Sequence, residues 1–162
     1  MKIIFLDVDG VLNTYYTEAK TSNGATFVDD RKVHILKDII DKTGAKIVLS
    51  STWRIGWKHL ELSMKDTWAA KDFIELRDKL REFEIDLYDK TPILDKFMRC
   101  RGEEIKMYLN NSKDDIDGYV IIDDLGGKWL RPCSSHLLQT SESKGLQEKH
   151  VKVVERILNM EV

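Results

Sequence analysis

A chain of 162 residues, 42% hydrophobic and 33% charged, has the size of one domain and enough apolar residues for a continuous core. Its formal net charge of −2 excludes broad electrostatic capture of nucleic acid, although not a local basic patch. Two cysteines, Cys100 and Cys133, exclude a disulfide framework and point to a reducing compartment. No apolar run approaches a membrane span, and the first is too short for an N-terminal signal, so a cytoplasmic location without membrane contact is expected.

The first element is also the most informative. Ile3 to Leu6 are four consecutive apolar residues, β-branched and aromatic in character, which predict a strand buried on both faces. It runs into Asp7-Val8-Asp9-Gly10-Val11-Leu12. The polar stretch from Asn13 to Thr26, with Tyr15, Tyr16 and Gly24, has room for a small hairpin or flap. Asp29 or Asp30 then caps a helix whose Val33, Leu36, Ile39 and Ile40 share a face, and Gly44 ends it. Ala45 to Leu49 predict a second buried strand, stopping at Ser50-Ser51-Thr52-Trp53-Arg54. A linking stretch with Trp57, Leu60 and Leu62 has some helical character. Asp66 or Thr67 starts the next helix, with Ala69, Phe73, Leu76, Leu80 and Phe83 at helical spacing. Ile85 to Tyr88 predict a short strand, and Thr91-Pro92 break the chain. Arg101 opens a helix with Ile105, Tyr108 and Leu109 inward. Tyr119 to Ile122 form another buried strand, ending in Asp123 and Asp124. His136 to Gln139 and Leu146 to Leu158 predict a last strand and helix. Strands and helices alternate five times, so the expected fold is α/β: a three-layer, Rossmann-like parallel sheet with helices on both faces, built by residues 1–162 as one domain.

Carboxylates at the end of a buried strand are costly unless negative charge is needed there, and ligands in such sheets bind beyond the carboxyl ends of the strands. An isolated Asp-x-Asp is more often a solvated turn with a capping aspartate. Gly10 and the matching Asp123-Asp124 pair reverse that preference. Four converging carboxylates require raised pKa values or a cation, and a hard ion such as Mg²⁺ is the natural counter-charge. Of Asp7 and Asp9, one can attack an electrophile while the other moves protons. Ser50 offers a hydroxyl and an N–H at the same edge, although it, Ser51 or Thr52 would serve equally as a helix cap. Arg101 sits at a helix start against the dipole preference, which suggests a use such as neutralising a phosphoryl group; Lys96 and Arg99 are its rivals. Trp53, Arg54, Trp57 and Lys58 interleave aromatics with cations, a pattern able to stack bases and touch phosphates, with Trp57 expected to be packing. Neither the four histidines nor the cysteines show metal-ligand spacing.

Asp7-Val8-Asp9-Gly10-Val11-Leu12, Ser50 after a strand, a basic residue at a helix start and Asp123-Asp124 resemble, in order and spacing, the four motifs of the haloacid dehalogenase (HAD) superfamily. Leu49-Ser50-Ser51-Thr52-Trp53-Arg54, Thr91-Pro92, Arg101-Gly102-Glu103-Glu104-Ile105 and Gln139-Thr140 with Gly145-Leu146 look like one branch, the phosphatase-like domain of "Swiss army knife" RNA-repair proteins. The resemblance implies that Asp7 is a nucleophile forming an aspartyl-phosphate and Asp9 the acid/base. It implies Mg²⁺ held by Asp7, the Asp9 carbonyl and Asp123, with Asp124 as second candidate. Ser50 and Arg101 would steady phosphoryl oxygens, with Lys96 the alternative because the third motif usually carries Lys. Gly10, Ser51 and Arg54 are expected beside the substrate. The gaps from Asn13 to Val28 and from Asp89 to Cys100 are too short for a lid domain, and a capless site favours a macromolecular phosphate. The expected activity is a Mg²⁺-dependent phosphomonoesterase acting on a phosphorylated substrate, with nucleotide or polynucleotide ends favoured. A small-metabolite phosphatase using the Tyr15–Tyr16 flap, or a phosphate- or nucleic-acid-binding module without turnover, are the alternatives.

Overall fold

The computed structural model describes residues 1–94 and 100–160. Five strands form one parallel sheet in the order β3-β2-β1-β4-β5. They are β1 (Lys2–Leu6), β2 (Lys46–Leu49), β3 (Leu87–Lys90), β4 (Gly118–Asp123) and β5 (Leu137–Gln139). The helices are α1 (Asp30–Thr43), α2 (Arg54–Glu61), α3 (Trp68–Glu82), α4 (Arg101–Asn111) and α5 (Val151–Ile157). Parallel neighbours cannot be joined by tight hairpins; α-helices carry the first three crossovers, and two 3₁₀ turns, Gly127–Trp129 and Ser134–His136, carry the one from β4 to β5.

Alternation along β1 divides the core in two. Ile4 and Leu6 join the larger cluster, with Leu36 and Ile39 of α1, Phe73 and Leu76 of α3, and Val154 of α5. Ile3 and Phe5 face the opposite side, with Ile105 of α4, Leu130 and Cys133. Phe5 meets the rings of Tyr108 and Tyr119 edge-on at centroid distances of 5.6 and 5.9 Å. Each such aromatic pair contributes roughly 0.5–1.5 kcal/mol beyond burial. The central strand is therefore apolar on both faces because both are covered.

Local signals set most boundaries. Asp29 accepts from the Arg31 N–H to cap α1, and Gly44, left-handed at φ 66°, closes it. Thr67, not Asp66, caps α3 through the Ala70 N–H. The stretch after Arg54 is helical. The third strand begins later than the expected Ile85, because Glu84 (φ 57°) and Ile85 still complete the exit from α3: their N–H groups donate to the carbonyls of Arg81 and Leu80. The C-terminal helix also starts later than Leu146, since Gln147 and His150 form a reciprocal cap around a short 3₁₀ turn. Among the described residues, Asn13 to Val28 contain only a single bridge, Lys20 to Thr26, and build no lid domain. No described helix is long and apolar enough to cross a membrane.

Candidate active site

Register assembles the site. Leu6 pairs with Leu49 of β2 and with Ile122 of β4, so the next residues outward, Asp7, Ser50 and Asp123, leave three adjacent strands at one level. Two backbone bonds hold that level: the Asp7 N–H donates to the Ile122 carbonyl at 3.0 Å, and the Ser50 N–H to the Leu6 carbonyl at 2.9 Å. A cavity of about 500 Å³ opens here, lined among others by Asp7, Asp9, Arg101, Asp124, Ile93 and Leu94. A larger groove of about 670 Å³ between β3 and α4 contains none of these carboxylates.

Asp7, Asp123 and Asp124 each offer an oxygen, all within 4.8 Å of one another. Asp7 and Asp123 are buried, and Arg101 is placed between them. Its Nη1 donates to Asp123 Oδ2 at 2.6 Å and lies 3.2 Å from Asp7 Oδ1. Asp123 Oδ1 accepts from the Leu125 N–H at 2.9 Å. Burial pushes the Asp7 carboxyl up to about 6, against the opposing pull of Arg101. Burial likewise raises Asp123, and raises Asp124 with help from the charge on Asp7. For Arg101, burial disfavours the charge, but Asp7 and Asp123 outweigh it and hold the proton more tightly than usual. One guanidinium against three carboxylates leaves excess negative charge, which suits a hard divalent cation bound through oxygens.

Asp9 is held by two donors. Trp53 Nε1 donates to Asp9 Oδ2 at 3.0 Å and Asn13 Nδ2 to Oδ1 at 2.9 Å. The Ser50 hydroxyl is fully buried and has no partner among the described residues, an arrangement that costs stability unless a ligand oxygen completes it. Ser51 is also buried, and its side chain helps to hold down the Asp7 pKa by hydrogen bonding.

Arg54 and Gly10 both make hydrogen bonds that hold the site's backbone. Arg54 lines the cavity, but its side chain is only 5% exposed and pairs with Glu104, itself 8% exposed, at 2.6 Å. Arg54 Nη1 donates to the carbonyls of Ser50 and Ser51 at 2.7 and 2.8 Å, and Nη2 reaches the Pro92 carbonyl at 3.4 Å. Glu104 Oε1 accepts from the Leu94 N–H at 3.1 Å. Arg54 thus ties the Ser50–Ser51 turn, the segment after β3 and α4 together. Gly10 likewise has its N–H committed to Asn13 Oδ1 at 2.9 Å, and its carbonyl accepts from the Thr140 hydroxyl at 2.7 Å. At φ 76°, with Asp124 Oδ2 only 2.4 Å from where a Cβ would sit, Gly10 lets Asp124 approach the first turn. Trp57 is packing, as expected, stacked on Phe73 at 5.3 Å. Lys96 and Arg99 lie outside the described residues. The roles of Asn13, Trp53, Glu104 and Thr140 were not apparent from sequence. Trp53, Glu104 and Thr140 stood within the branch motifs, but nothing there pointed to the partners they bond.

A family model described as the HAD domain in Swiss Army Knife RNA repair proteins matches residues 3–151. The chain belongs to this HAD family. No curated protein matches it. The match runs from β1 into the first residue of α5, so it includes every strand and every site residue above. HAD domains typically use a divalent metal, and this HAD domain has the acidic cluster to hold one.

Proposed function

We propose that this HAD domain is a Mg²⁺-dependent phosphomonoesterase that works through an aspartyl-phosphate on Asp7. One observation carries the reading: the Asp7 carboxylate lies at the cavity with Arg101 Nη1 3.2 Å away and the unpartnered Ser50 hydroxyl at the same strand level. A nucleophile, a phosphoryl-binding cation and a vacant donor are what attack on a phosphate monoester requires.

Asp7 attacks phosphorus and the bond to the leaving oxygen breaks, while Asp9 gives that oxygen its proton. Water then attacks the aspartyl-phosphate, Asp9 takes up the water proton, and cleavage of the bond to Asp7 releases phosphate and restores the carboxylate. Arg101 and Ser50 steady the phosphoryl oxygens throughout. Asp7, Asp123, Asp124 and the Asp9 carbonyl would hold Mg²⁺, whose charge favours ionised carboxylates and offsets the phosphoryl oxygens. Asp124 lines the cavity, whereas Asp123 has both oxygens engaged behind it.

The substrate is a nucleotide or polynucleotide phosphate end. The family description, RNA repair, supports this, as does the missing lid domain among the described residues, which leaves room for a large substrate. A small-metabolite substrate is the second reading, favoured by one contact: the Tyr15 hydroxyl bonds Glu142, a cavity residue, so the segment after β1 is tied to the cavity wall.

The test is phosphate release from p-nitrophenyl phosphate and from 3′- and 5′-phosphorylated oligonucleotides, with Mg²⁺ or EDTA, and Asp7→Asn as control. Mg²⁺-dependent release that disappears in Asp7→Asn is expected. Release unaffected by the substitution would exclude Asp7 as nucleophile. Binding of the oligonucleotides without any release would instead mark a phosphate-binding module.

A further inference from the structure

A second, smaller hollow opens beside the catalytic cavity. Its volume is about 330 Å³, and its walls include Ala25, Thr26, Trp53, Ala69 and Asp72. Asp9 and Thr52 line both spaces, so the carboxylate assigned to proton transfer forms their common boundary. Trp53 belongs to this wall while its indole N–H donates to Asp9 Oδ2 at 3.0 Å.

A general acid must stand within hydrogen-bond reach of the leaving oxygen. With phosphorus at Asp7, the organic part of the ester therefore lies on the Asp9 side, where this hollow opens. Its walls combine Trp53, Ala25 and Ala69 with the threonines Thr26 and Thr52 and the carboxylates Asp9 and Asp72, the Oδ1 of Asp72 being held by Asn23 Nδ2 at 2.9 Å. No cation lines the hollow among the described residues, and two carboxylates do. It is therefore suited to an uncharged group and rejects a second phosphate. The volume lies at the lower end of small-molecule sites, matching one ring system with its sugar.

We propose that this hollow is a leaving-group subsite for one uncharged nucleoside, the terminal nucleoside of the phosphorylated end. The inference rests on the phosphatase reading for which bond breaks, but not for whether the nucleoside binds. Occupancy places the nucleoside's ester oxygen at Asp9, and any further phosphodiester leaves the hollow for solvent. Trp53 connects the two events, since it walls the subsite and holds the acid/base.

Adenosine, the dephosphorylated product of an adenylate end, is the direct probe. Isothermal titration of wild-type protein should give saturable binding, with inorganic phosphate alone failing to displace it. Ala69→Leu and Ala25→Leu fill the hollow from two different segments, one on α3 and one after β1. The second is needed because the Ala69 carbonyl packs against Gly56 of α2, so the first could disturb the helix pair. A thermal melt establishes that each is folded. In a folded variant adenosine binding should weaken by about tenfold or more. With adenosine monophosphate and acetyl phosphate as substrates, the ratio of kcat/KM values should fall by a similar factor, chiefly through KM. Adenosine that does not bind, or binds equally to both folded variants, overturns the subsite. Binding lost in the variants while no phosphate ester is hydrolysed upholds the subsite and overturns the phosphatase reading instead.

Discussion

Arg54 and Glu104 allow a prediction that separates stability from catalysis. Both side chains are more than nine-tenths buried, and their charges meet at 2.6 Å. Glu104→Gln keeps size and shape but leaves the Arg54 guanidinium without a counter-charge, where burial already lowers its pKa. Removing one partner of a buried pair costs about 3–5 kcal/mol. Because the amide can still accept hydrogen bonds, the lower end, about 3 kcal/mol, is expected. For a chain of this size that corresponds to a Tm decrease of roughly 6–12 °C. Replacing both residues with Met should recover most of that loss, since a buried pair is often no better than apolar side chains of similar volume. Turnover should not recover with it, because the carbonyls of Ser50 and Ser51 have still lost the two donors on Arg54 Nη1. Urea unfolding and phosphate release on the same preparations give both quantities. A loss below about 1 kcal/mol for Glu104→Gln would refute the buried-charge reasoning. Full activity in the double Met variant would refute the positioning role of Arg54.

Three further outcomes follow from the same geometry. Without metal, the Asp7 carboxyl binds a proton more tightly folded than unfolded, rising from an ordinary 3.8 to about 6. Stability should therefore fall as pH rises between those values, by about 3 kcal/mol in full above the folded pKa. Mg²⁺ should raise Tm more near neutral pH than at about pH 5, and an equal rise at both would contradict cation binding at these carboxylates. Trp53→Phe removes the N–H that holds Asp9 Oδ2 but keeps a ring; it should slow alkyl phosphates by about tenfold and p-nitrophenyl phosphate less, because only the poorer leaving group needs the acid. Equal losses on both substrates would show that Trp53 acts through the fold. Gly10→Ala forces a side chain into the left-handed region, costing about 1–2 kcal/mol, and puts a Cβ 2.4 Å from the present position of Asp124 Oδ2, which must move away; urea unfolding should show that loss, and a melt with and without Mg²⁺ should show a smaller stabilisation by the ion. An unchanged Mg²⁺ response would remove Asp124 from the cation site.

The fold was legible where one residue type dominated a segment. Ile3 to Leu6 and Tyr119 to Ile122 read as buried strands because both faces are covered, and the acids that follow each run stood out as a departure from that pattern. Their convergence required only that the strands be parallel neighbours in register. The boundary of β3 was not legible, since its residues are only partly buried or exposed and the exit from α3 extends into it. The pairing of Arg54 with Glu104 was hidden for a different reason. An arginine next to an active edge looks the same in sequence whether it faces solvent or a buried carboxylate, and Glu104 is fifty residues away. The link between Trp53 and Asp9 spans 44 residues and was hidden in the same way. Local pattern reports what a residue is next to along the chain, and the site depends on contacts made across it.

Trapping the covalent intermediate tests the nucleophile most directly. Wild-type protein with Mg²⁺ would be mixed with a radiolabelled phosphate monoester, quenched in acid during turnover, and mapped by peptide. One phosphoryl group is expected on the peptide bearing Asp7, and none in Asp7→Asn. Phosphate release with no acid-stable adduct on that peptide in wild type, or the same adduct in Asp7→Asn, would contradict Asp7 as the nucleophile.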